Sequence, residues 1–252
     1  MMHAKEGFGP QDKDPRQEPC VLRSGGGVVA IAKPAGLATQ APPGLPSAEA
    51  WLRGQLSAGA YLGVPHRIDR AVSGVLLLAV TPRAARKLSR QFERREIGKT
   101  YLALLAGPGA DAIDVGQEAV WRDSIAKIPN EPRARIAPHD DPGARAAETR
   151  VRFLGRVEPG VVSVRLEPLT GRMHQLRVQA AARGLPIVGD ALYGAPAGPD
   201  GAGATDETDP RRRPIALHAW QIAYTDPDTG EIIRVEAPLP GGWPAIADAG
   251  GS

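Results

Sequence analysis

The segment from Gly74 to Val80, GVLLLAV, is apolar without interruption. A run of this length that does not alternate reads as a strand buried on both faces, so the rest of the chain must cover it from two sides. Thr81-Pro82 follows at once, and threonine at an N-cap with proline at the first helical position opens a helix. That helix is expected to run to about Glu96, with Ala84, Leu88 and Phe92 along one face. A second buried strand is expected in VVAIAKPAGL (Val28 to Leu37), stopped by Pro34 and Gly36.

The remaining elements follow from the same signals. Ala48 to Leu56 reads as a short helix after a Pro-rich loop, and Lys99 to Ala106 (KTYLALLA) as a strand. Gly107 to Ala144 reads as mixed and loop-rich. Thr149 to Leu154 and Val161 to Leu166 read as strands, and Arg172 to Arg183 as a helix capped by Thr170 or Gly171 and ended by Gly184. Ile215 to Tyr224 and Glu231 to Glu236 form a closing hairpin around Asp226-Pro227-Asp228-Thr229-Gly230. Strands often follow strands, which predicts a mixed α+β fold with a largely antiparallel central sheet flanked by helices and loops.

Composition agrees with this reading. The 252 residues suffice for one large domain, and 30 glycines and 25 prolines require many turns. Hydrophobic residues make up 42% but aromatics only 4%, so the core is built from Ala, Val, Leu and Ile. The organisation expected is a flexible tail over 1–19, a domain over 20–242 with a surface loop over 195–213, and a tail over 243–252. A single cysteine, Cys20, excludes an internal disulfide and a cysteine-based zinc site. No signal peptide and no apolar run near the ~20 residues needed to cross a bilayer is visible, so a cytoplasmic protein is the default. The net charge of +3 permits a polyanionic partner without requiring one. From Arg83 to Lys99 seven basic residues face two acidic ones, and Arg83, Lys87, Arg90, Arg94 and Lys99 are candidates for phosphate contact. A solvated helix face explains the same pattern equally well.

Three segments could carry chemistry. In PHRIDRAVSG, Asp69 sits between Arg67 and Arg70, with His66 nearby, just before the buried strand. Taken alone, this is a turn in which Asp and Ser bond nearby amides. In TGRMHQLR, His174 and Arg177 lie three apart on the expected helix, with Arg172 at its start, where an acid or a phosphate would be welcome. In GKTY, Tyr101 is either a core residue or a stacking platform for a base.

Together and in this order these segments resemble the RluA-type pseudouridine synthases, which isomerise uridine in RNA. The resemblance runs from about Val28 to Pro240. AIAKPAGL resembles the strand and turn before that family's active site. HRIDRAVSGVLLLAVT resembles the motif of its catalytic aspartate, which falls on Asp69. GKTYLALLAG resembles the motif of its active-site tyrosine, which falls on Tyr101. TGRMHQLRVQAAARGLPIVGDALYG resembles the motif whose arginine pairs with that aspartate, which falls on Arg177, and IALHAWQIAY resembles the strand near the C-terminal end. The chain departs from the family's usual residues at Val72, Met173 and Gln179. Many relatives carry an N-terminal S4 domain; the segment before Val28 is too short for one, which leaves RNA binding to the catalytic domain.

The resemblance implies that Asp69 reacts without any cofactor or metal, attacking the sugar or the base or taking a proton from C2′. It implies that Arg177 keeps Asp69 ionised, that Arg67 fills the space of the flipped uridine, and that Tyr101 and Leu176 flank the base. His66, Arg172 and His174 are further substrate-binding candidates. The implied partner is RNA, ribosomal first and transfer RNA second, bound by a monomer with no obligate protein partner. Two rivals remain: a non-catalytic RNA-binding or ribosome-assembly relative, and a hydrolase using Asp69 with His66 or His174, for which the motif segments nominate no second carboxylate.

Overall fold

The computed structural model describes residues 18–194 and 213–244. The expected tails and the loop over 195–213 lie, except for their innermost residues, outside the described residues. In chain order the elements are β1 (Cys20–Gly25), β2 (Val28–Lys33), α1 (Ala48–Arg53), β3 (Ser73–Ala79), α2 (Pro82–Glu93), β4 (Gly98–Ala106), β5 (Glu118–Lys127), β6 (Ala134–Ile136), β7 (Arg145–Glu158), β8 (Val161–Pro168), α3 (Gln175–Ala181), β9 (Leu217–Thr225) and β10 (Ile232–Glu236). The fold is mixed α+β with mostly antiparallel strand pairing, as expected. The chain divides into two compact units. Among the described residues the first comprises 18–99 with 219–241, and the second 100–194 with 213–218 and 242–244.

In the first unit, β1 pairs with β2 and β2 with β3, both antiparallel, and β10 pairs antiparallel with β9. Every residue of β3 is buried, which confirms the two-sided burial read from GVLLLAV. Gly74 has φ +121°, and a Cβ there would lie 2.2 Å from the Ala219 carbonyl oxygen, so no other residue fits. Helix α2 begins as expected: Thr81 accepts from the Ala84 amide, with Pro82 in the first turn. It stops three residues short of Glu96, and Arg95 just beyond adopts a left-handed φ of 60°. Ala84 and Leu88 pack with Val28, Val75, Leu77 and Ile222 in one apolar cluster. The expected β9–β10 hairpin is present, its turn fixed by Asp226 Oδ1 accepting from the amides of Asp228 (2.7 Å) and Thr229 (3.0 Å).

In the second unit the strands run β4-β8-β7-β5-β6, and their pairings are antiparallel. Two elements here differ from expectation. The loop-rich stretch from Gly107 to Ala144 also holds two strands that the sequence reading did not separate, β5 and β6. The alternation of β5 is masked by Asp123, which lies on the same face as the buried Trp121 and Ile125 and is accepted there because Gln179 Nε2 (2.7 Å) and Arg183 Nη1 (3.0 Å) donate to it. Helix α3 is also shorter than expected, starting at Gln175 rather than Arg172. His174 is its N-cap residue, in a left-handed conformation with φ 52° and no side-chain cap bond. The Thr170 hydroxyl donates instead to Gln175 Oε1 (2.7 Å), and Gln175 Nε2 donates to Glu148 O (3.0 Å) and Thr149 Oγ1 (2.9 Å). The helix start is therefore pinned to β7 through one glutamine.

Candidate active site

Asp69, Arg67 and His66 belong to the first unit; Tyr101, Arg172, His174, Leu176 and Arg177 belong to the second. Asp69 is partly buried between the exposed Arg67 and the partly buried Arg70. Its loop is held on both sides. On the N-terminal side Thr39, itself 4% exposed, donates through Oγ1 to Ile68 O (2.9 Å) and accepts from Ile68 N (3.3 Å). On the C-terminal side Gly36 N donates to Arg70 O (2.8 Å), and Arg70 Nε donates to Gly36 O (2.8 Å). Val72 N closes the turn onto Asp69 O (3.1 Å).

Lys33 supports the same loop from beneath. Its side chain is 1% exposed, and Nζ donates to Leu37 O (2.7 Å), Pro34 O (2.9 Å) and Arg70 O (3.4 Å). Burial pushes the Lys33 pKa down to about 7; the charge of Asp69 opposes that shift and the charge of Arg70 adds to it. The sequence signal for this role is a lysine at the end of a buried strand, which stands in the sequence only as part of a family segment.

His66 is held in place by packing. Its ring stacks on Phe92, with centroids 4.5 Å apart and planes at 22°, and Nε2 accepts from the Leu77 amide (2.9 Å). Desolvation, with a smaller contribution from the charge of Lys99, pushes its pKa down to about 3, so the imidazole is neutral. An acceptor Nε2 on a neutral ring places the proton on Nδ1.

In the second unit Arg177 is 3% exposed and binds Asp190, 1% exposed, in a two-pronged pair: Nε to Oδ2 and Nη2 to Oδ1, each 2.7 Å. The guanidinium also lies over the Tyr193 ring, 5.2 Å from its centroid. The Tyr193 hydroxyl accepts from Ala134 N (2.9 Å) and lies 2.9 Å from His174 Nδ1. The structure thus gathers Arg177, His174, Asp190 and Tyr193. His174 is set beside the helix start rather than one turn before Arg177 on a helical face. Asp190 and Tyr193 were missed by the sequence reading although both lie in GDALYG; an aspartate set just after a glycine and a basic helix was the available signal. Leu176 is buried at 6% exposure. Arg172 Nε donates to Ala146 O (2.9 Å). Tyr101, partly buried on β4, stands opposite Leu166 on β8.

The basic stretch divides in two. Arg83 pairs with Asp228 (3.5 Å), and Lys87 Nζ donates to Pro227 O, so both are tied to the β9–β10 turn. Gln91 strengthens this attachment, exchanging two 2.8 Å bonds with the Thr225 backbone. Arg86 and Arg90 stay exposed on the outer side of α2. Arg94 is 4.0 Å from Glu96, and Lys99 is partly buried on β4, where desolvation and the charge of Arg95 lower its pKa. Among the described residues no group of three or more His, Cys, Asp or Glu could hold a metal ion, and no helix is long and apolar enough to cross a membrane.

The family model described as RNA pseudouridylate synthase matches residues 27–182. The chain is 36% identical over 168 residues to the dual-specificity RNA pseudouridine synthase RluA of Yersinia pestis, covering 66% of this chain and 72% of that protein. It is 32% identical to the ribosomal large subunit pseudouridine synthase D of Nitrosomonas europaea, covering 77% of this chain but only 53% of that protein. Among solved structures, human RNA pseudouridylate synthase domain containing 1 superposes with a TM-score of 0.66 at 26% identity, over 91% of this chain and 86% of that one. Human RNA pseudouridylate synthase domain containing 4 shares the fold, with a TM-score of 0.66 at 24% identity over 88% of each chain. The chain belongs to the RNA pseudouridylate synthase family and is an RNA pseudouridine synthase.

Proposed function

We propose that Asp69 is the carboxylate that reacts with the target uridine, with Arg177 as its cationic partner and Tyr101 and Leu176 beside the base. The observation that carries this reading is the clamp on the Asp69 loop: backbone groups of both Ile68 and Arg70 are held by other segments, which supports a reacting group whose backbone is ordered before substrate arrives. The reaction needs no redox partner. The N1–C1′ bond of uridine breaks, uracil turns, a C5–C1′ bond forms, the C5 proton leaves to solvent and N1 gains one. No cofactor has a place in that balance. Arg67, exposed next to the carboxylate, takes the space of the extruded nucleotide, and extrusion itself costs a few kcal/mol.

The substrate we propose is structured RNA, ribosomal RNA first and transfer RNA second, since relatives carry both large-subunit and dual-specificity names. Arg86 and Arg90, with Arg94 at the end of the same helix, supply phosphate contact outside the pocket, while Arg83 and Lys87 serve mainly the β9–β10 turn. The protein acts as a cytoplasmic monomer in this reading. The test is release of tritium from RNA labelled at uridine C5, with ribosomal and transfer RNA transcripts assayed separately. Wild type is expected to release it and Asp69→Asn to release none while still binding the RNA. Turnover by Asp69→Asn at the wild-type rate would remove Asp69 from the chemistry.

A further inference from the structure

We infer that Thr39 is a positioning residue for the reaction, acting through the two hydrogen bonds its hydroxyl makes to the residue before Asp69. The inference rests on the reading of Asp69 as the reacting carboxylate.

Helix α1 anchors one end of this arrangement. Ser47 caps that helix by accepting from Ala50 N (3.1 Å), and the first amides of the helix reach back to the preceding loop: Ala48 N donates to Ala38 O (2.9 Å) and Glu49 N to Thr39 O (3.1 Å). The backbone of Thr39 is thus fixed to a helix end. Its hydroxyl then serves the donor and the acceptor of a single residue, donating to Ile68 O at 2.9 Å and accepting from Ile68 N at 3.3 Å. Ile68 is 6% exposed and Thr39 is 4% exposed, so water does not readily replace this hydroxyl. Both polar groups of Ile68 therefore depend on one side-chain oxygen, and the next residue in the chain is Asp69. Freeing them lets the peptide before Asp69 rotate, and the carboxylate rotates with it. The clamp on the far side, from Gly36 to Arg70, limits that motion to a small displacement rather than a collapse of the loop.

Two roles for Thr39 predict opposite rankings. If the hydroxyl positions Asp69, the turnover number follows hydrogen-bonding ability: Thr and Ser alike, Cys lower, Val lowest. If Thr39 only fills space, it follows shape: Thr and Val alike, Ser and Cys lower. The experiment uses the full chain carrying Thr39→Val, Thr39→Ser and Thr39→Cys. It measures single-turnover tritium release at saturating RNA, RNA affinity by filter binding, and melting temperature. Misplacing a reacting group by about 1 Å costs on the order of 10²-fold, so Thr39→Val is expected to lose about 10- to 100-fold in rate. RNA affinity is expected to hold, and Thr39→Ser to recover most of the rate. Should Thr39→Val not fold, the comparison of Thr39→Cys with Thr39→Ser carries the same ranking. A Val variant as fast as wild type, or rate losses that follow affinity or melting temperature across the series, overturns the inference. Asp69→Asn run in parallel separates the two readings: if it turns over normally, the assignment of Asp69 has failed, whatever the Thr39 series shows.

Discussion

Asp190→Ala leaves the Arg177 guanidinium in a site 3% exposed with its two 2.7 Å partners gone. Breaking a buried pair by removing one partner costs about 3–5 kcal/mol, because the charge left behind loses its two-pronged partner, and less to the extent that another group shares the guanidinium. The Tyr193 ring, 5.2 Å from the guanidinium, stays in place and offsets a small part of this. For a chain of this size each kcal/mol lowers the melting temperature by about 2–4 °C, so the loss is about 6–20 °C. Asp190→Asn keeps the shape and one acceptor oxygen and is expected to fall between Asp190→Ala and wild type.

Replacing both partners separates the cost of a stranded charge from the worth of the pair. Arg177→Met with Asp190→Leu removes both charges from a buried site at similar volume, and such exchanges are often neutral or stabilising by about 1–4 kcal/mol. The double variant is therefore expected to melt above Asp190→Ala, by less if Asp69 loses a partner with Arg177, and in that case to lose turnover as well. Urea and thermal unfolding followed by circular dichroism supply the measurement. An Asp190→Ala variant within about 1 kcal/mol of wild type, the worth of an exposed pair, would falsify the claim that this pair is dry and structural.

His66 gives a pH prediction. Its folded pKa of about 3 lies below the ordinary 6.5, so the unfolded chain binds a proton that the fold refuses. The stability this group contributes is complete above pH 6.5 and is lost as pH falls toward 3, by about 1.4 kcal/mol per pH unit. His66→Gln can still accept from the Leu77 amide, and its unfolding free energy is expected to vary less steeply across that window; an unchanged slope refutes the prediction. The divided helix α2 gives another. Arg86→Glu with Arg90→Glu should flatten the salt dependence of RNA affinity by on the order of two in log–log slope, about 0.7–0.9 for each phosphate that is no longer neutralised. Arg83→Glu should act mainly on the docking of the Asp226–Gly230 turn, seen as a lower melting temperature; equal slopes in wild type and the Arg86/Arg90 variant would place the RNA elsewhere.

What could be read from the sequence depended on how far along the chain each cause lies. Strand β3, the start of α2 and the β9–β10 turn were legible because their determinants are local: an unbroken apolar run, a threonine three residues before the amide it caps, an aspartate two and three residues before the amides it binds. Strand β1 escaped because only Cys20 in it is buried, and β5 escaped because Asp123 interrupts its inner face. Asp69, Tyr101 and Arg177 stood out only as parts of a recognised order. The residues that hold two of them did not stand out at all: Thr39 meets Ile68 across 29 positions, Lys33 meets Arg70 across 37, and Asp190 meets Arg177 across 13. A loop threonine, a strand-end lysine and an aspartate in a turn are ordinary in composition, and folding alone brings them to their partners. If Asp69 and Arg177 have the roles proposed, the same residues bear on whether such a chain is an enzyme or a silent relative. The trio alone does not distinguish them, because a chain could retain Asp69, Tyr101 and Arg177 yet leave the carboxylate loop or the guanidinium unanchored. On those roles the anchors matter as well as the trio, and the described residues include both: the Thr39 and Gly36 bonds on either side of Asp69, and the two-pronged Asp190 pair on Arg177.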